Sequence, residues 1–152
     1  MKLLDILKEE AIIPELGARH KKAVLDELCL RVAEIEGLAK EPLLEVLLER
    51  EKLGSTGIEE GIAIPHGKSG EITRMVIACG RSREGVDFES MDGKPTHIFF
   101  LLLAPENTAG VHLKALAKIS RLLKDSDFRQ GFMSARGKPD IFDLIASRDS
   151  EF

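Results

Sequence analysis

The sequence predicts a layered α/β domain, and three observations predict it. Helical spacing dominates residues 21–50, strand-length apolar runs occupy the middle, and helical spacing returns after Gly110. One of the middle runs, His97 to Leu103, is almost continuously apolar and lies between Gly93-Lys94-Pro95 and Pro105, which fits a strand covered on both faces. The chain has 152 residues, enough to bury a core without staples, and shows no internal repeat, low-complexity tract or linker. One domain, residues 1–152, is therefore expected.

Each element has its own signal. Lys21 to Gly37 reads as an amphipathic helix through Val24, Leu28, Val32 and Ile35, with Gly37 as its stop. Glu41-Pro42 opens a second helix, proline being tolerated in a first turn, and Leu43, Leu44, Leu47 and Leu48 give it a buried face. Arg50 falls near its end. Ile62 to Ile64 reads as a short strand, Ile72 to Cys79 as a second and His97 to Leu103 as a third. The next helix is expected just after Gly110-Val111-His112, with Leu113, Leu116, Ala117, Ser120 and Leu123 in register. Two further helical pieces follow, around Asp127 to Ala135 and Pro139 to Ser147.

Composition narrows the function classes. Hydrophobic residues make up 43% and charged residues 32%, an ordinary globular balance. The formal net charge of -4 argues against a nucleic-acid partner, which would call for a basic face. No apolar run approaches the ~20 residues of a membrane span. The opening MKLLDILKEE turns acidic too soon for a signal peptide. Cys29 and Cys79 both sit inside apolar patterns, with neither a disulfide framework nor metal-ligand spacing. A reduced, cytoplasmic protein without membrane insertion is expected.

Four histidines are candidates for chemistry. His20 lies in the polar run Arg19-His20-Lys21-Lys22 and reads as a solvated surface residue, and His97 reads as a satisfied residue at a strand boundary. His66 differs, because Pro65 restricts the backbone before it and Gly67 frees the backbone after it. That pattern suits a side chain held at a strand edge with backbone amides nearby. A neutral imidazole is a nucleophile near pH 7, and with a phosphoryl electrophile the site needs donors and positive charge, since such transfer is mostly positioning and electrostatics. Arg50, Ser55, Thr56, the backbone around Gly57, Gly61 and Gly67, and Lys68 are the candidate donors close in sequence. His112, opening a helix where the dipole favours anions, adds one more. Two plainer readings compete: the glycines of GSTGIEEG as an ordinary tight loop, and His66 with His112 as metal ligands. The loop lacks the G-x-x-x-x-G-K-[ST] pattern of a P-loop, and no Cys, Asp or Glu stands at a helpful helical offset from either histidine, so neither ATP chemistry nor a metal is expected.

The stretches Arg50 to Ile58 (REKLGSTGI) and Gly61 to Lys68 (GIAIPHGK) closely resemble the active-site signature of IIA proteins of the bacterial phosphotransferase system, fructose/mannitol class. The wording looks most like the nitrogen-regulatory IIA branch, and VDFESMDGKPTHIFFLLLAPE and HLKALAKISRLLKD extend the resemblance over essentially the whole chain. It implies a mixed β-sheet with helices on both faces. It also implies phosphorylation of His66, a phosphoryl-stabilising His112 beside it, and Arg50 and Thr56 near the same pocket. The implied donor is an HPr-type phosphocarrier protein, with no cofactor. Many relatives read GIGNGIAIPH where this chain has Glu59-Glu60 in place of Gly-Asn. These carboxylates either point to solvent, pair with Arg50 or Lys68, or repel an incoming phosphoryl group.

Three functions follow from these residues. The first is a phosphoryl relay that regulates a target protein through its own charge state. The second is the soluble IIA component of a fructose/mannitol-type permease, passing the group to a cysteine of a IIB domain. The third is a binding module with a vestigial site, which the joint presence of Arg50, Thr56, His66 and His112 disfavours.

Overall fold

Residues 1–151 are described in a computed structural model. Two short 3-10 turns, Leu3–Asp5 and Glu9–Ala11, lead into β1 (Ile12–Ile13). Then come α1 (Lys21–Glu36), α2 (Lys40–Lys52), β2 (Ile62–Ala63), β3 (His66–Lys68), β4 (Val76–Val86) and β5 (Thr96–Ala104). Three helices close the chain: α3 (Val111–Lys124), α4 (Ser126–Ser134) and α5 (Lys138–Arg148). α1 ends as its sequence predicts, with Gly37 left-handed at φ 70 and the Leu38 amide reaching back to the Ala33 carbonyl.

The sheet is mixed. Its order is β1-β4-β5-β2, with β3 also pairing with β5. β4 and β5 are antiparallel, whereas β1, β2 and β3 run parallel to their partners. β2 and β3 continue one another along β5, Ile62 opposite Ile98 and His66 opposite Leu102. Between them stands Pro65, whose missing N–H belongs at a strand edge, while its carbonyl still accepts from the Leu102 amide at 2.9 Å.

Helices cover both faces, as expected, and β5 is buried along almost its whole length. Neighbouring side chains of β5 serve opposite faces. Phe99 meets Phe88 edge-on at 5.3 Å, while Phe100 packs against Phe128 and Phe132 of α4 at 6.3 and 6.0 Å. Gly67 shares a face with Phe99, and α2 lies so close there that a Cβ on Gly67 would stand 2.4 Å from Val46 Cγ1.

β4 departs from expectation at both ends. Ile72 is not in it: its amide donates to the Ser69 carbonyl in a turn that the Ser69 hydroxyl braces by accepting from Glu71 N at 3.1 Å. The strand starts at Val76 and continues through the polar run Arg81-Ser82-Arg83-Glu84, which apolar patterning cannot detect. Arg81 is fully buried because its guanidinium donates to the carbonyls of Pro14 (3.1 Å), Phe132 (2.9 Å) and Ala135 (2.7 Å), finishing the C-terminal end of α4. The chain's two ends meet at a second buried charge. Asp149 accepts from the Leu3 and Leu4 amides at 2.8 and 3.1 Å and pairs with Lys118 of α3 at 2.9 Å, and Lys118 also donates to the Met1 carbonyl.

Candidate functional site

Strand alternation decides where His66 points. Gly67 faces α2, so His66 and Lys68 face the other side of the sheet, where α3 lies. An open groove of about 350 Å³ borders His66 there, walled by Arg50, Ser55, Thr56, Ile58, Ile64, Met91, Leu116 and Ser120. The groove thus gathers Arg50 from α2, the Ser55-Thr56 loop and His66. His112 lies outside its wall but close enough to His66 and Lys68 for their charges to act on it.

The His66 ring is fixed. Its Nδ1 lies 2.8 Å from the Ile64 carbonyl oxygen, which only accepts, so Nδ1 carries the proton and Nε2 of the neutral ring keeps its lone pair. Pro65 makes this possible by interrupting the ladder between β2 and β3. The loop before the strand is pinned to the same edge: Ile58 N donates to the Ile62 carbonyl at 2.9 Å and Ile64 N to the Thr56 carbonyl at 3.1 Å.

Several loop donors are occupied within the protein itself. Thr56 is buried, and both its amide and its hydroxyl bond to Glu51. Glu51, buried on α2, also pairs with Lys21 at 2.9 Å, whose ammonium stands 5.0 Å above the Phe88 ring. The Gly57 amide donates to Ser55 Oγ at 3.0 Å, and Ser55 donates to the Phe88 carbonyl. Gly57 itself answers a packing demand, since a Cβ there would stand 2.4 Å from Ser90 Oγ. Arg50 donates to the Gly54 carbonyl at 2.9 Å, closing the loop over the end of α2 while the side chain still borders the groove. The Lys68 side chain is exposed and makes no hydrogen bond or ion pair among the described residues.

His112 accompanies α3 into the site, and its Nδ1 lies 3.1 Å from Thr108 Oγ1. Burial, foremost, and then the charges of Lys68 and His66 hold its pKa below the ordinary histidine value. The remaining histidines are structural or solvated: His97 bonds the Ser82 carbonyl at 2.8 Å, and His20 is exposed ahead of α1. Neither loop acid bonds Arg50 or Lys68. Glu60 lies near Arg129, with 3.6 Å between charged atoms, and Glu59 is exposed beside Met91, Asp92 and Lys124.

Sequence reasoning missed Met91, Leu116, Ser120 and Glu51. Leu116 and Ser120 were readable, being four and eight residues after His112 on one helix face. No pattern marks Glu51 as an acid that is buried to hold a loop.

Nitrogen regulatory protein IIA-Ntr from Neisseria meningitidis superposes with a TM-score of 0.86 at 33% identity, covering 93% of this chain and 97% of that one. The family described as phosphoenolpyruvate-dependent sugar phosphotransferase system, EIIA 2, matches residues 5–148, and the chain belongs to it. The nitrogen regulatory protein of Bradyrhizobium diazoefficiens is 43% identical over 146 residues, 96% of this chain and 95% of that protein. The fructose-specific EIIABC component of Bacillus subtilis is 37% identical over 150 residues, 98% of this chain but 24% of that longer protein. No helix among the described residues is long and apolar enough to cross a membrane.

Proposed function

We propose that residues 1–152 act as a single cytoplasmic IIA domain in which His66 accepts a phosphoryl group from an HPr-type carrier, mainly to regulate a target protein. The observation that carries this reading is the 2.8 Å contact of His66 Nδ1 with the Ile64 carbonyl, which leaves Nε2 as the nucleophile. In the transfer, Nε2 attacks phosphorus and the N–P bond of the carrier's phosphohistidine breaks. The bonding pair stays on the carrier's nitrogen, and a carrier ring protonated at its other nitrogen leaves neutral. His66 keeps its Nδ1 proton against Ile64, so its ring becomes cationic beside the phosphoryl dianion. Lys68 and Arg50 supply positive charge for the transferring oxygens, and His112 supplies a donor. Ser55, Thr56, Gly57 and Gly67 shape the groove, Thr56 through Glu51 and Gly67 by admitting α2.

The surface around the site suits a protein partner. Leu53 after Arg50, Met91 in the groove wall, and Val111 and Leu113 either side of His112 are exposed large apolar residues, Leu53 at 84% and Met91 at 79%. The regulatory role is supported by the full-length match to the nitrogen regulatory protein of Bradyrhizobium diazoefficiens. A second reading, the IIA component of a fructose-type permease that passes the group to a IIB cysteine, is supported by the Bacillus subtilis relative.

The test is phosphoryl uptake from an HPr-type carrier charged with phosphoenolpyruvate and enzyme I, followed by intact mass. Wild type is expected to gain one acid-labile phosphoryl group, His66→Ala none, and His112→Ala the same group more slowly. No uptake by wild type from any such carrier sinks the relay reading. Onward transfer to an isolated IIB domain separates the permease role from the regulatory one.

A further inference from the structure

The site's two histidines are held in different ways. The partner of His66 Nδ1 is a carbonyl, which permits one tautomer, whereas the partner of His112 Nδ1 is a hydroxyl, which both donates and accepts. The backbone is bent to place that hydroxyl. Ala109 and Gly110 are both left-handed, at φ 51 and 86, and the Val111 amide closes the turn on the Thr108 carbonyl at 3.0 Å. For Ala109, which has a Cβ, this conformation is strained. The result is that Thr108, four residues ahead of His112, reaches its ring at 3.1 Å.

Resting on the phosphoryl-acceptor role of His66, we infer that Thr108 is a positioning residue for His112, and that loading His66 is accompanied by uptake of one proton on His112. Among the described residues, Lys68 and the neighbouring His66, both from β3, act on the His112 ring, together with the positive end of α3 on which it stands. With burial, they disfavour the imidazolium while His66 is unloaded. A phosphoryl dianion on a His66 ring that becomes cationic adds about one net negative charge beside Lys68, which shifts the local field toward favouring the His112 imidazolium. His112 Nε2, which has no hydrogen-bond partner among the described residues, is then a donor toward the phosphoryl oxygens. Nδ1 takes a proton from solvent. Thr108 keeps its hydrogen bond throughout, donating to the neutral ring and, after rotation of the hydroxyl, accepting from the protonated one. No other proton or electron is needed.

The test uses the full chain as wild type, Thr108→Val, Thr108→Ser and His112→Gln. Ring-nitrogen NMR is recorded before and after loading from the charged carrier, and intact mass reports the load. In wild type the His112 ring should be neutral with Nε2–H before loading and doubly protonated after it at neutral pH. Relative to His112→Gln, the equilibrium constant for loading should then fall by up to about tenfold per pH unit between the two titrations. Thr108→Val, which leaves Nδ1 without this partner, should shift the His112 ring-nitrogen signals and narrow that window, and Thr108→Ser should restore both. An unchanged ring spectrum in Thr108→Val, with its amide fingerprint intact, overturns the positioning role. A loaded wild type whose His112 stays neutral, or equal pH dependence in wild type and His112→Gln, overturns the proton coupling. If mass shows no phosphoryl group on wild type, the acceptor role of His66 fails and the coupling falls with it; a loaded protein with an unmoved ring refutes the coupling alone.

Discussion

Glu60 is left-handed at φ 65, a region that Gly and Asn enter far more readily. Its charge gains little there, because its neighbour Arg129 is 3.6 Å away and Glu60 is largely exposed. Glu60→Asn is therefore expected to stabilise the protein by about 1 kcal/mol, read as a higher midpoint in urea. Gly67 makes the opposite case. A Cβ 2.4 Å from Val46 would push α2 off β3, so Gly67→Ala should cost roughly 1–3 kcal/mol, and Val46→Ala in the same chain should recover much of it. His66, its proline and its glycine were legible in the sequence because they are contiguous. The Ile64 carbonyl that fixes the tautomer was not, since no side chain announces a backbone acceptor.

The elements divide the same way. α1, β5 and the three last helices were legible to within a few residues because one face or both are apolar. β4 was half legible, its second half being written in Arg, Ser and Glu. Those polar residues are where the element is tied to its neighbours: Arg81 closes three carbonyls and has its pKa lowered by burial and by Arg83. Arg81→Met should cost on the order of 3 kcal/mol and speed amide hydrogen exchange at the end of α4. β4 and α1 also bury the two thiols. Burial, with Asp26, pushes Cys29 up to about 12, and burial pushes Cys79 well above the ordinary thiol range. Both should resist thiol reagents at pH 8 in the folded protein and react together once urea unfolds it.

At the scale of the molecule, Asp149 joins the first residues, α3 and the end of α5. Burial alone would raise its pKa, but the Leu3 and Leu4 amides and Lys118 outweigh burial and hold it below the ordinary aspartate value. Because the folded pKa is depressed, the stabilisation is present above the unfolded value and is lost as pH falls through the folded one. Thermal unfolding across that acid range should show the loss in wild type and a flatter profile in Asp149→Asn. No sequence pattern announces this joint, because its contacts to the first residues span more than a hundred positions. The break at Pro65 has a consequence for crowding. A continuous parallel strand on the outside of β5 would offer neighbouring chains a template for sheet growth. Two short segments, interrupted by a residue without an N–H and overlain on one side by residues 56–58, offer almost none. The same proline that seats the His66 ring therefore also breaks the outer edge of the sheet into short pieces.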